Sequence, residues 1–210
     1  MISPNWKGEY LSYAVKSGGS LIVSGVGKSG NVANKIASTF SSLGLSSYFL
    51  HPVEALHGDL GRVTKSDAII WISNSGTTEE ITKLLPYIDI PKEMMVALVG
   101  NVASPIAKSC SIVLDAGVDK EACINNLAPT TSTTVAMALG DALAVLYESI
   151  VGLSKEKYAQ NHPGGLLGKS LRLKVENLMI EKDQCGCIDQ KSSLKDAVLA
   201  MTKFLSLIHI

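Results

Sequence analysis

Arginine is scarce: Arg62 and Arg172 are the only two among nineteen basic residues, and nineteen acidic residues balance the formal charge to zero. A surface that follows a nucleic-acid backbone needs a basic excess, so no nucleic-acid partner is expected. Cysteine is sparse as well. Cys110, Cys123, Cys185 and Cys187 are too few for a disulfide scaffold in 210 residues, and Cys185-Gly-Cys187 lacks the two-residue spacer of a redox or zinc pair. They read as reduced thiols of a cytoplasmic protein. An 18-residue apolar run is missing, because Asp141 and Glu148 interrupt the most apolar stretch, Val135 to Val151, so no membrane span is expected. The opening Met1-Ile-Ser-Pro-Asn-Trp-Lys-Gly-Glu9 has no basic stretch ahead of an apolar core, hence no secretory leader. Charged residues reach only 18% against 46% hydrophobic, with mean hydropathy +0.24, which excludes general disorder. Without net charge to hold copies apart, self-association is expected.

Short β-branched runs alternate with helical spacing. Ser20–Ser24, Ser47–Leu50, Ala68–Ile72, Met95–Val99 and Ser111–Leu114 read as five strands, apolar without alternation, as strands covered on both faces should be. Between them, Val32, Ile36, Phe40 and Leu43 mark one helix face, and Ile81, Leu84, Leu85 and Ile88 another. This rhythm predicts an α/β fold, an open parallel five-stranded sheet with helices on both faces, a flavodoxin-like three-layer arrangement. Ligands of such sheets sit beyond the carboxyl ends of the strands. Thr130-Thr-Ser-Thr-Thr134 opens a long helix to about Ile150 that is apolar nearly all round, which suits a central or subunit-contact helix.

Gly25-Val-Gly-Lys-Ser-Gly30 follows the first strand and matches G-x-G-x-x-G, but the acidic residue a dinucleotide site needs after the second strand is replaced by Leu50-His51-Pro52. A P-loop fails too, since position 22 is Ile22. What remains is a glycine turn facing Gly27, Lys28 and Ser29 toward the ligand edge, either for an anion or merely solvated. Ser73-Asn74-Ser75-Gly76-Thr77-Thr78 follows the third strand and precedes a helix, where backbone amides and small hydroxyls make a compact phosphate cradle without arginine. Thr77-x-x-Glu80 also fits a capping box, which would make Glu80 structural. The alternative is a carboxylate held near a sugar phosphate to move a proton. His51 reads as a polar surface residue, while His162, in Asn161-His-Pro-Gly-Gly165, suits a positioned acid or base. Asp119-Lys120-Glu121-Ala-Cys123 offers a loop carboxylate, candidate base or solvated charge. No histidine pair or carboxylate set has metal-ligand spacing, so no metal is expected.

In order along the chain, Gly-Val-Gly-Lys-Ser-Gly, Glu-Ala-Leu-His-Gly-Asp-Leu-Gly, Ile-Ser-Asn-Ser-Gly, Lys-Glu-Ala-Cys, Leu-Ala-Pro-Thr-Thr-Ser-Thr-Thr, Gly-Asp-Ala-Leu-Ala and His-Pro-Gly-Gly resemble the D-arabinose 5-phosphate isomerases of the sugar-isomerase (SIS) domain family. The match runs from about Leu21 to Leu171. The resemblance implies reversible conversion of D-ribulose 5-phosphate to D-arabinose 5-phosphate, a small-molecule pentose phosphate that feeds Kdo synthesis for lipopolysaccharide or capsule. It implies no redox cofactor and no required metal. Its functional positions fall on Lys28, His57, Glu80, Glu121 and His162, and its phosphate contacts on Ser73, Ser75 and Thr78, with Thr130, Ser132 and Thr133 close by. A carboxylate would carry the proton between C1 and C2 through a cis-enediol, Glu121 first and Glu80 as the close alternative, with Lys28 offsetting negative charge and His162 protonating oxygen. A homotetramer assembled through the long helices is implied. The SIS domain is expected over residues 1–170. Residues 171–210 read as linker and the incomplete start of a cystathionine-β-synthase-type (CBS) repeat, at Val175–Met179 and Leu194–Met201, which by itself is too short for a core. The closing Leu205–Ile210 does not fit that repeat and resembles a translated sequencing adapter, so a truncated chain is expected. A sugar-phosphate sensor without turnover, or an isomerase of a hexulose or heptulose phosphate, are the competing readings.

Overall fold

The computed structural model describes residues 18–165, 168–170, 173–181 and 184–204. Five parallel strands form one sheet: β1 (Leu21–Gly25), β2 (Ser47–Leu50), β3 (Ala68–Ser73), β4 (Met95–Val99) and β5 (Ile112–Asp115), in the order β2-β1-β3-β4-β5. This is the expected three-layer α/β architecture. β1, β3 and β4 are buried along their whole lengths, which is why their sequences run apolar without alternation. Trp71, Ile69, Ile70 and Ile72 of the central β3 are all essentially inaccessible.

Helix α1 (Gly27–Ser42) buries Val32, Ala33, Ile36, Ala37 and Phe40, the stripe expected from its spacing. The short helices α2 (Pro52–Leu56), α3 (Glu79–Leu84) and α4 (Pro105–Lys108) follow β2, β3 and β4. The helix expected through Ile88 stops at Leu84 and passes into a 3-10 turn, Leu85–Tyr87, at Pro86. Proline has no amide to continue the ladder and its ring crowds the preceding turn. Helix α5 (Thr131–Val151) packs on α1, burying Ala136, Gly140, Leu143, Ala144 and Tyr147. Gly140 permits the close approach, because a Cβ there would lie 2.2 Å from Ile36 Cδ1. Phe40 and Tyr147 meet edge to face at 5.9 Å, and Lys35 pairs with Asp141 across the two helices. The other side of α5 is not buried: Ala138, Ala142 and Val145 are exposed. By length and composition α5 is apolar enough to cross a membrane, but its contact with α1 and the Lys35–Asp141 pair make it a packed helix of this domain. Helix α6 (Lys155–Asn161) closes the first unit.

The chain divides into two compact units, Met1–Pro163 and Gly164–Ile210. In the second, helix α7 (Leu194–Phe204) buries none of its described residues, and Leu194, Val198 and Leu199 are exposed. Leu205–Ile210, like Leu171 and Arg172, lies outside the described residues.

Candidate functional site

The strand order reverses between β1 and β3: one connection leaves β1 toward β2, the next leaves β3 toward β4. The loops leaving the carboxyl ends of such a pair diverge to opposite faces, opening a crevice at that edge. A small cleft of about 50 Å³ lies there, lined by Ser29 and Val32 of α1, Ile72 and Asn74 at the end of β3, Gly100 after β4, and Ser132, Thr133 and Ala136 of α5, among others. Its floor is aliphatic and its rim carries amide and hydroxyl groups.

The glycine turn after β1 builds the first wall. A Cβ on Gly25 would stand 2.9 Å from the Ser29 backbone and one on Gly30 2.9 Å from the Gly25 carbonyl, so these glycines let strand and helix touch. That accounts for the G-x-G-x-x-G spacing without a dinucleotide. No side chain caps α1, whose first residues Gly27, Lys28 and Ser29 therefore turn free amides and a positive helix end toward the site. Lys28 is exposed and makes no ion pair among the described residues.

Ser73 is the buried hub of the turn after β3. Its hydroxyl accepts from Gly76 N at 3.0 Å and shares a 2.7 Å bond with Thr78 Oγ1. Ser75 Oγ accepts from Thr77 N at 3.2 Å and from Thr77 Oγ1 at 3.1 Å. Thr78, not Thr77, is the residue that starts α3, and its hydroxyl is spent on Ser73 rather than on a helix amide. The capping box suggested by Thr77 and Glu80 is therefore not formed, and Glu80 stands half-buried at the edge, its carboxylate without a hydrogen bond among those described.

Glu121 takes the N-terminus of α5. Its carboxylate accepts from Thr130 N at 2.8 Å, Thr130 Oγ1 at 3.1 Å, Ser132 N at 3.2 Å and, through a short bond, from Ser132 Oγ. The Ser132 hydroxyl first, then the Thr130 amide, hold the Glu121 carboxyl down to about 2. Hydrogen bonds to the charged form act in this direction, and a carboxylate so satisfied is a poor proton acceptor at carbon. Two residues on, Cys123 Sγ accepts from Leu127 N and Ala128 N, both at 3.1 Å, which lowers its thiol below the usual range, with the Ala128 amide as the largest contribution. All four cysteines are free.

The histidines separate. His51 caps α2, its Nδ1 accepting from Val53 N at 3.3 Å. His57 ends α2 at the ligand edge and is exposed. His162 lies elsewhere: it follows α6, whose Asn161 side chain donates to the Ser42 carbonyl at the far end of α1. With 16 residues α1 is about 24 Å long, so the His162 of a chain does not share a cleft with that chain's own Lys28. Its ring stacks on Tyr158 at 4.1 Å, and Nδ1 donates to the Tyr158 carbonyl at 2.9 Å. A carbonyl only accepts, so Nδ1 carries the proton and Nε2 is the open nitrogen.

The fold thus gathers Ser29, Asn74, Ser132 and Thr133 around one cleft, with Glu121 joined through Ser132. Gly27, Lys28, His57, Ser75, Gly76, Thr77, Thr78 and Glu80 lie on loops and helix starts of the same edge, while His162 does not. Sequence reasoning missed the aliphatic lining, Val32, Ile72, Leu98 and Ala136, because those residues read as core. No group of three or more His, Cys, Asp or Glu suited to a metal ion occurs among the described residues.

The SIS-domain profile matches residues 15–146, which contain the sheet, the turns after β1 and β3 and most of α5. The chain belongs to the SIS-domain family. Over 185 residues it is 46% identical to the arabinose 5-phosphate isomerase KdsD of Pseudomonas aeruginosa, covering 88% of this chain and 57% of that protein. To the KdsD of Escherichia coli K12 it is 43% identical over 185 residues, covering 88% and 56%. The chain therefore spans somewhat more than half the length of these curated relatives. Among solved structures, the Escherichia coli CFT073 protein c3406 in complex with arabinose 5-phosphate superposes with a TM-score of 0.67 at 37% identity, covering 74% of this SIS chain and 82% of that one.

Proposed function

We propose that the chain carries an aldose–ketose isomerase that interconverts D-ribulose 5-phosphate and D-arabinose 5-phosphate, supplying Kdo synthesis for lipopolysaccharide or capsule in the cytoplasm. The observation that carries this reading is the 37% identity to a protein solved with arabinose 5-phosphate, over 74% of this chain. The identity to two KdsD proteins points the same way.

The chemistry needs one proton moved between adjacent carbons and one moved between their oxygens, with no net oxidant. Glu80 takes the proton from C2 of the aldose while O1 gains one; the resulting cis-enediol loses the proton on O2 as Glu80 returns its own to C1. Glu80 fits this task better than Glu121, whose carboxylate is fully bonded to the start of α5. Lys28 and the uncapped end of α1 offset negative charge on phosphate or enediolate. The phosphate is assigned to the side of Lys28 and the turn Ser73–Thr78, where Ser73 shapes the turn and Ser75, Gly76, Thr77 and Thr78 face the ligand edge.

His162 reaches such a site only from a second copy of the chain. A homotetramer built on the exposed side of α5, with Ala138, Ala142 and Val145, would allow that supply, and Nε2 of the incoming His162 would exchange the oxygen proton. Residues 171–210 are proposed to begin a CBS-type repeat, a reading that the exposed apolar Leu194, Val198 and Leu199 of α7 support.

Proton NMR with D-arabinose 5-phosphate in deuterated water tests the reading. Formation of ribulose 5-phosphate with deuterium at the reacting carbons is the expected result. Binding without exchange would make the domain a sensor and overturn the isomerase.

A further inference from the structure

The cleft has two unlike walls. On the α1 side stand Ser29 and Val32, with the uncapped amides of the helix start and Lys28 beside them at the same edge. On the α5 side stand the hydroxyls of Ser132 and Thr133, and the protons of both are already committed. Ser132 Oγ donates to Glu121 Oε1, since a carboxylate can only accept. Thr133 Oγ1 donates to the carbonyls of Thr130 at 3.0 Å and Pro129 at 3.3 Å. A hydroxyl with its proton spent presents lone pairs alone. Ser132 is buried, with 5% exposure, so water does not easily take over either bond. Part of the helix start is spent as well: Glu121 holds the Ser132 amide and, beside it, that of the cap residue Thr130.

We infer that the hydroxyls of Ser132 and Thr133 act as a pair of acceptors that takes hydroxyl groups of the sugar in preference to its phosphate, with Glu121 as the positioning residue that fixes the Ser132 proton. The inference rests on the sugar-phosphate reading above and orients that substrate: phosphate toward Lys28, hydroxyls toward α5. A dianion against this wall would meet four lone pairs and, one bond behind them, a carboxylate held in its charged form. A sugar hydroxyl meets an acceptor strengthened by that same carboxylate. The wall thereby decides which end of a phosphosugar enters it, something neither residue type alone would do, since free serine and threonine hydroxyls bind phosphate readily.

Calorimetric titration of the chain with inorganic phosphate and with D-arabinose 5-phosphate tests this, using Ser132→Ala, Ser132→Thr and Glu121→Ala. Ser132→Ala is expected to weaken the sugar phosphate by about tenfold, the worth of one well-placed hydrogen bond, and to leave inorganic phosphate unchanged. Ser132→Thr keeps the hydroxyl and should restore the ratio of the two affinities. Glu121→Ala frees the Ser132 proton and the helix amides, so inorganic phosphate should gain affinity or a second binding event, a change that simple loosening of the loop would not produce. Parallel loss of both ligands in Ser132→Ala, or unaltered phosphate binding in Glu121→Ala, would overturn the wall while leaving the isomerase reading intact. Gain of phosphate in Glu121→Ala with no sugar-phosphate binding to the unsubstituted chain would uphold the wall and sink the sugar-phosphate reading.

Discussion

Gly76 and Ser104 are in contact across the site loops: a Cβ on residue 76 would stand 2.0 Å from Ser104 Oγ, and Gly76 has φ +67°. Both facts exclude any larger residue, and the Gly76 carbonyl accepts from Ile106 N at 3.2 Å, tying the turn after β3 to α4. Gly76→Ala should therefore cost about 2–4 kcal/mol, backbone strain plus overpacking, measured by urea denaturation. Ser104→Gly opens the space, so the double variant should be more stable than the two single losses predict. Simple additivity would show that the two residues do not compete for that space.

Glu80→Gln and Glu121→Gln separate the two carboxylates. With Glu80 as the proton carrier, Glu80→Gln should lower kcat by about 10²–10⁴ with little change in KM. Glu121→Gln puts an amide NH2 against the donors of Thr130 and Ser132, displaces the acceptor wall and should raise KM more than it lowers kcat. The reverse pattern in steady-state kinetics would return the proton to Glu121.

Acid stability reports the same carboxylate independently. The Glu121 carboxyl is lowered in the folded chain to about 2 from an ordinary 4.5, so the folded state binds fewer protons than the unfolded one between these values. Its stabilising contribution is complete above pH about 4.5 and is lost as pH falls toward 2. In urea melts across that window, Glu121→Gln should flatten the decline in stability relative to the unsubstituted chain. Equal slopes would mean that Glu121 is not bonded to α5 in solution.

The sheet was legible because buried parallel strands leave continuous apolar runs such as Ile69–Ile72, and α1 because its stripe Val32, Ile36, Phe40 repeats with the helix. The loop motifs were legible by position, since every carboxyl strand end in this topology faces one edge. What spacing does not carry is which hydroxyl is already spent. Thr77-x-x-Glu80 has the form of a capping box, yet Ser73 draws Thr78 into the turn and shifts the helix start by one residue. Glu121 reads as a free loop carboxylate because its partners, Thr130 and Ser132, are nine and eleven residues away and meet it only when the loop folds back. The resemblance puts His162 and Lys28 in one set of functional positions, but α6 docks on Ser42 at the other end of α1, a long-range choice that local sequence does not reveal.

That placement gives the sharpest test of assembly. If each cleft uses its own Glu80 and another copy's His162, then Glu80→Gln and His162→Gln chains are each inactive for different reasons, and mixing them should restore activity. After subunit exchange at equal amounts, a site has an even chance of an intact Glu80 and an even chance of an intact His162, so about one quarter of wild-type activity is expected. Recovery must also require exchange: chains cross-linked before mixing should stay inactive. Were His162 to serve the cleft of its own chain, a mixed site would always lack one of the two groups, and no activity would return. The hydrogen bond from Nδ1 to the Tyr158 carbonyl sharpens the same experiment, because it leaves Nε2 as the only nitrogen to offer. An asparagine amide can take over the Nδ1 bond but has no counterpart of Nε2. A Glu80→Gln chain that also carries His162→Asn should therefore fold and assemble, yet fail to rescue the His162→Gln chain.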